Sequence, residues 1–295
     1  MLYCQALQIT LSSPPALNLT AIIMSKIFAI HGVARRPRPE TFVYRSYFAS
    51  RALKLHLRKR TNRYVSLDMA LSGQGDALTI DDATSAGFEA AILARKYGHE
   101  VTLFINPHNV IDRTPYFMNV LDMALDKTRR SEIMFNERRF LLDSFNAKLS
   151  LRKELKSRLM KLTTEPVRTE FVQRLAVDLD VPDLSVPEHL RVISLEEILV
   201  LRDMGVSIAN HGWTHGAIEA LDPSVARDEI IKAKKWIAQE CRITASAYAV
   251  PFGNALPPFE ISDDVCGVWF LLNFNSKPGF VGPNVFNRES LDVRN

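Results

Sequence analysis

The sequence has little cysteine: three residues in 295, at Cys4, Cys241 and Cys266. An odd, sparse set excludes a disulfide framework and fits reduced thiols in a cytoplasmic protein. Long apolar runs are also missing, so no integral membrane segment is expected. The opening MLYCQALQITLSSPPALNLTAII has no basic start and is broken by Pro14 and Pro15, which argues against a signal peptide. Residues 24–33 (MSKIFAIHGV) read as a fresh start leading into a strand. Residues 1–25 are therefore expected to be an extension outside the fold, or the product of an early start codon. Charge of one sign is scarce as well. A formal net charge of +4 gives little support to a nucleic-acid partner. The densest basic run, Arg51 to Arg63, has no stacking aromatics interleaved with it and reads as a solvated helix face.

What is present is an ordinary globular composition, 47% hydrophobic and 24% charged, in a chain long enough to bury a core without disulfides. Short apolar runs alternate with amphipathic patterns. A strand is expected over 27–30, ending at His31, and another over 77–80, ending at Asp81 and Asp82. The spacing predicts a helix over 86–97 with Phe88, Ala91, Ile92 and Tyr97 inward, stopped by Gly98. A strand over 101–105 follows. Strand, helix, strand at this separation is a βαβ unit and implies parallel strands. The second half repeats the logic. Ser194 and Glu197 form a capping box ahead of a helix over 195–204. A strand over 206–209 ends at Asn210 and His211. Asp222 caps a helix that has Pro223 in first position and Ala226, Ile230, Ala233 and Ile237 at helical spacing. A strand over 246–250 ends at Pro251, and Trp269 and Phe270 belong to a buried strand. Residues from about 111 to 190 are charge-rich and helical in pattern. They read as a helical insertion between strands, or as two ordinary helices with long loops.

Three clusters each follow an expected strand: Thr79-Ile80-Asp81-Asp82, His211-Gly212-Trp213-Thr214-His215 and Pro251-Phe252-Gly253. In parallel α/β folds the C-terminal strand ends share one face, so residues remote in sequence can meet there. Histidines at i and i+4 share one face of a helical turn. Two neutral imidazoles there, joined by a carboxylate from another strand, make a set of three ligands that leaves a position open for water. Zinc suits two nitrogens and one oxygen. Asp81 and Asp82 have an ordinary reading too, as a cap on the helix that follows. Trp213 offers either core packing or a face for a sugar ring.

In this order, the clusters resemble the motifs of the polysaccharide deacetylase family, the NodB-like carbohydrate esterases of family four. The family's TFDDG is TIDDA at Thr79 to Ala83. Its paired histidines are His211 and His215, and its Pro-aromatic-Gly is Pro251-Phe252-Gly253. The resemblance runs from about residue 26 to the C-terminus. It implies a distorted (β/α) barrel of about seven parallel strands over 26–295, carrying the insertion. It further implies a metal-dependent hydrolase that removes N-acetyl groups from an amino sugar or polysaccharide precursor. Asp82, His211 and His215 would hold a divalent ion, zinc by preference, and Asp81 would be the general base. Pro251, Phe252 and Gly253 would border the carbohydrate substrate, with the Phe252 N–H donating to the oxyanion.

The sequence departs from the family pattern at three places. The first-motif Gly is Ala83. The Arg that opens the third motif is replaced by Ala249, with Arg288 and Arg35 as candidates to supply the guanidinium. No histidine follows His215, where many members place a general acid. His31, at a strand end, is either a substitute or structural. These departures keep two other readings open: a related hydrolase of cyclic amides or ureides, and a glycan-binding barrel without turnover.

Overall fold

The expected strands are mostly apolar because the sheet is covered on both faces. The computed structural model describes residues 25–38, 40–181, 183–253, 255–256, 259 and 265–292. The expected N-terminal extension lies outside the described residues apart from Ser25. Nine strands form the main sheet. They are β1 (Ile27–Ile30), β2 (Ala77–Asp81), β3 (Thr102–Ile105), β4 (Ser207–Asn210), β5 (Ala247–Ala249), β6 (Val268–Leu271), β7 (Gly279–Gly282), β8 (Val285–Asn287) and β9 (Glu289–Ser290). Their order is β7-β8-β6-β5-β4-β3-β2-β1-β9. Every residue of β2 and β3 is buried, as parallel strands between two layers require.

All pairings are parallel except that between β7 and β8. The expectation of about seven parallel strands therefore differs at the C-terminal end, where Gly279–Gly282 is an antiparallel edge. Val285 to Asn287 pairs with β6, and Glu289 and Ser290 pair with β1. One short segment thus ties the two flanks of the sheet together, and Arg288 sits at the crossover.

Eight helices surround or extend the sheet: α1 (Ser50–Lys59), α2 (Ser85–Lys96), α3 (Pro107–Asp112), α4 (Phe117–Lys127), α5 (Phe145–Met160), α6 (Glu165–Asp178), α7 (Leu195–Asp203) and α8 (Pro223–Trp236). A further short one spans Leu67–Leu71. The basic α1 buries Leu53 and Leu57 and leaves Arg51, Lys54, Arg58 and Lys59 exposed. α2 turns its small residues inward: Ala86, Gly87, Ala90, Ala91 and Ala94 are buried, while Phe88 and Ile92 pack at the margin. Of the expected stripe Phe88, Ala91, Ile92 and Tyr97, Ala91 is fully buried and the other three are only partly so, because a stripe of small side chains lets the helix approach the sheet closely. Gly32 shows how closely: a Cβ there would lie 2.3 Å from the Ala86 carbonyl carbon.

The cap of α2 is Thr84, whose hydroxyl accepts from Gly87 N–H, so Asp81 and Asp82 are released from the capping role. α7 has the full capping box of Ser194 and Glu197, as expected. Asp222 occupies the N-cap of α8 but makes no side-chain cap bond. The inner face of the sheet interleaves Phe104, Phe270 and Phe286 with Ala209 and Ala249. Between β3 and β4, α4, α5 and α6 build a core of their own from Leu121, Leu125, Leu151, Leu155, Leu159 and Leu175. This region is not helical throughout. Glu132–Phe135 and Arg138–Leu141 form an antiparallel hairpin, turned by Asn136 and Glu137, both at positive φ. Two consecutive left-handed residues give the tight turn whose twist suits a hairpin.

Candidate active site

Asp81 is the last residue of β2, and Asp82 follows it with φ of 71°. A left-handed residue directly after a strand turns the chain sharply, and the two neighbouring carboxylates meet different partners. Arg288 Nη1 and Nη2 donate to the Asp81 oxygens at 2.7 and 2.8 Å, and Nη1 also reaches Thr79 Oγ1 at 2.9 Å. Arg288 is only 2% exposed, and its guanidinium stacks over the Phe104 ring. Burial alone would push the Asp81 carboxyl up. Attraction from Arg288, followed by His211, outweighs this and holds it below the ordinary range.

Asp82 faces the histidines. Its Oδ1 lies 3.3 Å from His215 Nε2 and 3.7 Å from His211 Nε2. Burial again opposes ionisation of Asp82. His215 above all, with His31 and His211, keeps the carboxyl depressed. His211 Nδ1–H donates to Ala249 O at 2.7 Å, which fixes the tautomer and leaves Nε2 with its lone pair toward Asp82. Burial lowers the His211 imidazole to about 4, so it stands neutral and ready to ligate. Ala249, where the motif would carry Arg, thus contributes its backbone carbonyl to a histidine, and Arg288 brings a guanidinium from the crossover between β8 and β9. Arg35, the other candidate, is exposed.

The donor set fits a divalent ion. One ligand atom from each of Asp82, His211 and His215 lies within 4.8 Å of the others. Ligand bonds of about 2.1 Å in a tetrahedron set donor separations near 3.4 Å, against the observed 3.3 and 3.7 Å. Asp82 Oδ1 is buried and has no hydrogen-bond partner. An orphaned carboxylate oxygen between two imidazoles is what a cation would satisfy.

The histidine pair does not sit on a helical turn, as its spacing suggested. Residues 211–217 are irregular, and His215 has φ of 56°. The loop is held instead by side chains. Asn106 Nδ2 donates to the carbonyls of His211 and Gly212, and Asn210 Oδ1 accepts from Gly212 N–H. Tyr116, Phe117 and Phe252 surround the His215 ring, at centroid distances of 5.2, 6.2 and 5.0 Å. Tyr116 and Phe117 belong to the helical region and escaped the sequence reading. Only their place ahead of an amphipathic helix marked them.

Pro251, Phe252 and Gly253 form a turn beyond β5, with Phe252 at φ of 64°. The Phe252 ring packs against His215. Gly253 is required by close approach, because a Cβ there would lie 2.6 Å from Leu272 N. Lys232 Nζ lies 3.9 Å over the ring of Trp213, and His108 packs beside it. His31 is half-buried beyond β1 and bears electrostatically on both Asp81 and Asp82.

No curated protein matches the sequence. Residues 181–266 match the family model described as polysaccharide deacetylase, a stretch that holds both histidines and the Pro251-Phe252-Gly253 turn but not Asp81 or Asp82. Among solved structures, the chain is similar to the Streptococcus pyogenes deacetylase PplD in complex with acetate, at 12% identity over 91% of this chain and 92% of that one, with a TM-score of 0.57. A de-N-acetylase from Aggregatibacter actinomycetemcomitans is similar at 11% identity over 92% and 96%, with a TM-score of 0.52. IcaB from Ammonifex degensii is similar at 12% identity over 91% of each chain, with a TM-score of 0.50. At these identities the likeness is one of fold: mixed α/β, with a large, mainly parallel sheet. The resemblance of this chain to the polysaccharide deacetylase family, read first from three motifs, therefore stands on a match to the family model over residues 181–266 and on a shared fold.

Proposed function

We propose that the protein is a divalent-metal-dependent hydrolase that removes the N-acetyl group from an amino sugar or a polysaccharide precursor, on a distorted barrel of about seven strands. The observation that carries this reading is the convergence of Asp82 with His211 and His215, beside an Asp81 kept ionised by Arg288. The chemistry supplied by a bound zinc would be polarisation of the acetamide carbonyl and a fall in the pKa of an adjacent water toward about 7. Asp81 is the general base and takes a proton from the attacking water. The Phe252 N–H donates to the oxygen on which charge develops. His31 protonates the leaving amine, in place of the histidine missing after His215. The scarcity of cysteine, with Cys241 and Cys266 both buried, supports a cytoplasmic setting.

Arg288 weakens the case for a glycan-binding barrel without turnover, because the guanidinium that seemed missing has a source. The test is acetate release from N-acetylglucosamine oligomers by protein stripped with chelator and then reloaded with zinc or cobalt. Restoration of release by metal supports the reading. Oligomer binding without acetate at saturating metal defeats it, and opening of a cyclic imide in place of acetate release transfers the site to the other amidohydrolase chemistry.

A further inference from the structure

Arg168 lies in α6, outside every motif, and is 1% exposed. Burying a guanidinium is costly unless its donors and its face find partners. Here Nη1 donates to Leu162 O at 3.0 Å, Nη2 donates to Thr214 Oγ1 at 2.9 Å, and the guanidinium covers the Phe117 ring at 5.1 Å. Thr214 immediately precedes His215. Its hydroxyl in turn donates to Glu229 Oε2 at 3.1 Å, and the same oxygen accepts Thr214 N–H at 2.8 Å. One hydroxyl therefore uses a lone pair toward a cation and its hydrogen toward a carboxylate. The buried charge of Arg168 and the half-buried one of Glu229 are bridged through a single threonine. On the other side of His215, a Cβ on Gly216 would lie 3.3 and 3.5 Å from the Arg168 nitrogens, so the guanidinium is seated against the backbone.

The His215 conformation gives this contact a task. A histidine at φ of 56° is in a sparsely populated region, which persists only when its surroundings over-determine it. Asn106 and Asn210 hold the first half of the loop, at His211 and Gly212. The half that carries His215 is held by Thr214, and Thr214 is held by Arg168 and Glu229.

We propose that Arg168 is a positioning residue for the metal-binding loop: acting through Thr214, it clamps His215 in the left-handed conformation that sets its imidazole opposite Asp82. The helical region between β3 and β4 is thereby part of the site's ligand geometry, and not only a covering layer. This inference rests on the reading that Asp82, His211 and His215 bind a divalent ion.

Zinc affinity of the full chain, measured by competition with a chromophoric chelator, tests it without any substrate. The set is wild type, Arg168→Met, Arg168→Lys, Thr214→Val and Thr214→Ser. Arg168→Met and Thr214→Val should weaken zinc binding about ten- to a hundredfold, the usual effect of removing a group that orients a ligand. Thr214→Ser keeps the hydroxyl and should bind as wild type does. Arg168→Lys should fall between, since one ammonium does not reproduce the fork. Wild-type affinity in both Arg168→Met and Thr214→Val, with native circular dichroism, overturns the proposal. If Arg168→Met does not fold, the comparison of Thr214→Val with Thr214→Ser decides alone, and equal affinities sink it. Absence of zinc binding in the wild type would instead overturn the metal-site reading beneath it.

Discussion

Arg288 holds the carboxylate of Asp81 in a two-pronged grip, with hydrogen bonds of 2.7 and 2.8 Å between residues 207 positions apart. Both side chains are almost wholly buried. Such a pair contributes modestly while intact, yet is costly to break from one side, because a lone buried charge remains. Arg288→Met should therefore lower stability by about 3–5 kcal/mol. Arg288→Lys should recover little of it, since an ammonium cannot match both oxygens. Urea unfolding measures this, and a loss under about 1 kcal/mol, the range of an exposed pair, would show that the grip is not holding Asp81.

Asp82→Asn isolates charge at the candidate metal site. Asparagine tolerates the left-handed backbone of Asp82 about as well as aspartate does, so the fold should survive. Zinc retained after dialysis should fall from about one ion per chain, the number a three-ligand site holds, to a small fraction of that. Elemental analysis of the dialysed protein provides the count. Full retention by the variant would remove Asp82 from the ligand set.

Acid should destabilise the metal-free protein over a window set by His211. Burial depresses this imidazole to about 4 from 6.5. Between those values the unfolded chain binds a proton that the folded chain refuses. Stability from this group is thus complete above about pH 6.5, declines as pH falls, and is gone near pH 4. The loss is on the order of 3 kcal/mol. Asp81 and Asp82, also held low, add losses of the same sign at more acidic pH. Urea midpoints between pH 7 and 4 should fall in the wild type and flatten in His211→Asn, and parallel slopes would refute the assignment.

Gly32→Ala tests the approach of α2 to β1. The added carbon would meet Ala86 and Gly87 backbone within 2.6 Å, at a residue with φ of 136°. Backbone on both sides leaves little room for relaxation, so a loss of about 3 kcal/mol or more is expected. Thermal unfolding gives the answer, and an unchanged midpoint would contradict the close contact.

His31→Ala should lower the rate of acetate release by about a hundredfold or more, the usual worth of a positioned proton donor, with zinc affinity left near the wild-type value. Unchanged turnover would return His31 to a structural role and leave the donor to be found elsewhere.

Much of this was legible in the sequence where local rules and tertiary needs agree. The strand at Ile27–Ile30, the Ser194–Glu197 capping box and the inward line of Ala226, Ile230 and Ala233 all appear as read. Asp82, His211 and His215 also come together, because each follows a strand in a parallel sheet. What escaped depends on contacts that no spacing encodes. Arg168 is one charge among many in a charge-rich stretch until Thr214 comes to meet it. The helical stripe of α2 was read only in part, at Ala91, because the small side chains that permit close approach to the sheet, and not the largest apolar ones, turned inward. The His211–His215 spacing suggested a helix, whereas Asn106 and Asn210 stabilise an irregular loop with the same separation.

The crossover at Arg288 has a bearing on the order in which the protein matures. The strand segment that joins the sheet's flanks is also the one that carries the countercharge for Asp81. A nascent chain extending through β6 already holds Asp81 and the candidate ligands Asp82, His211 and His215, but not yet the guanidinium that grips Asp81 or the segment that joins β1 to β6. Competence therefore arrives with the same step that completes the scaffold, and a half-made polypeptide has no functioning centre to protect.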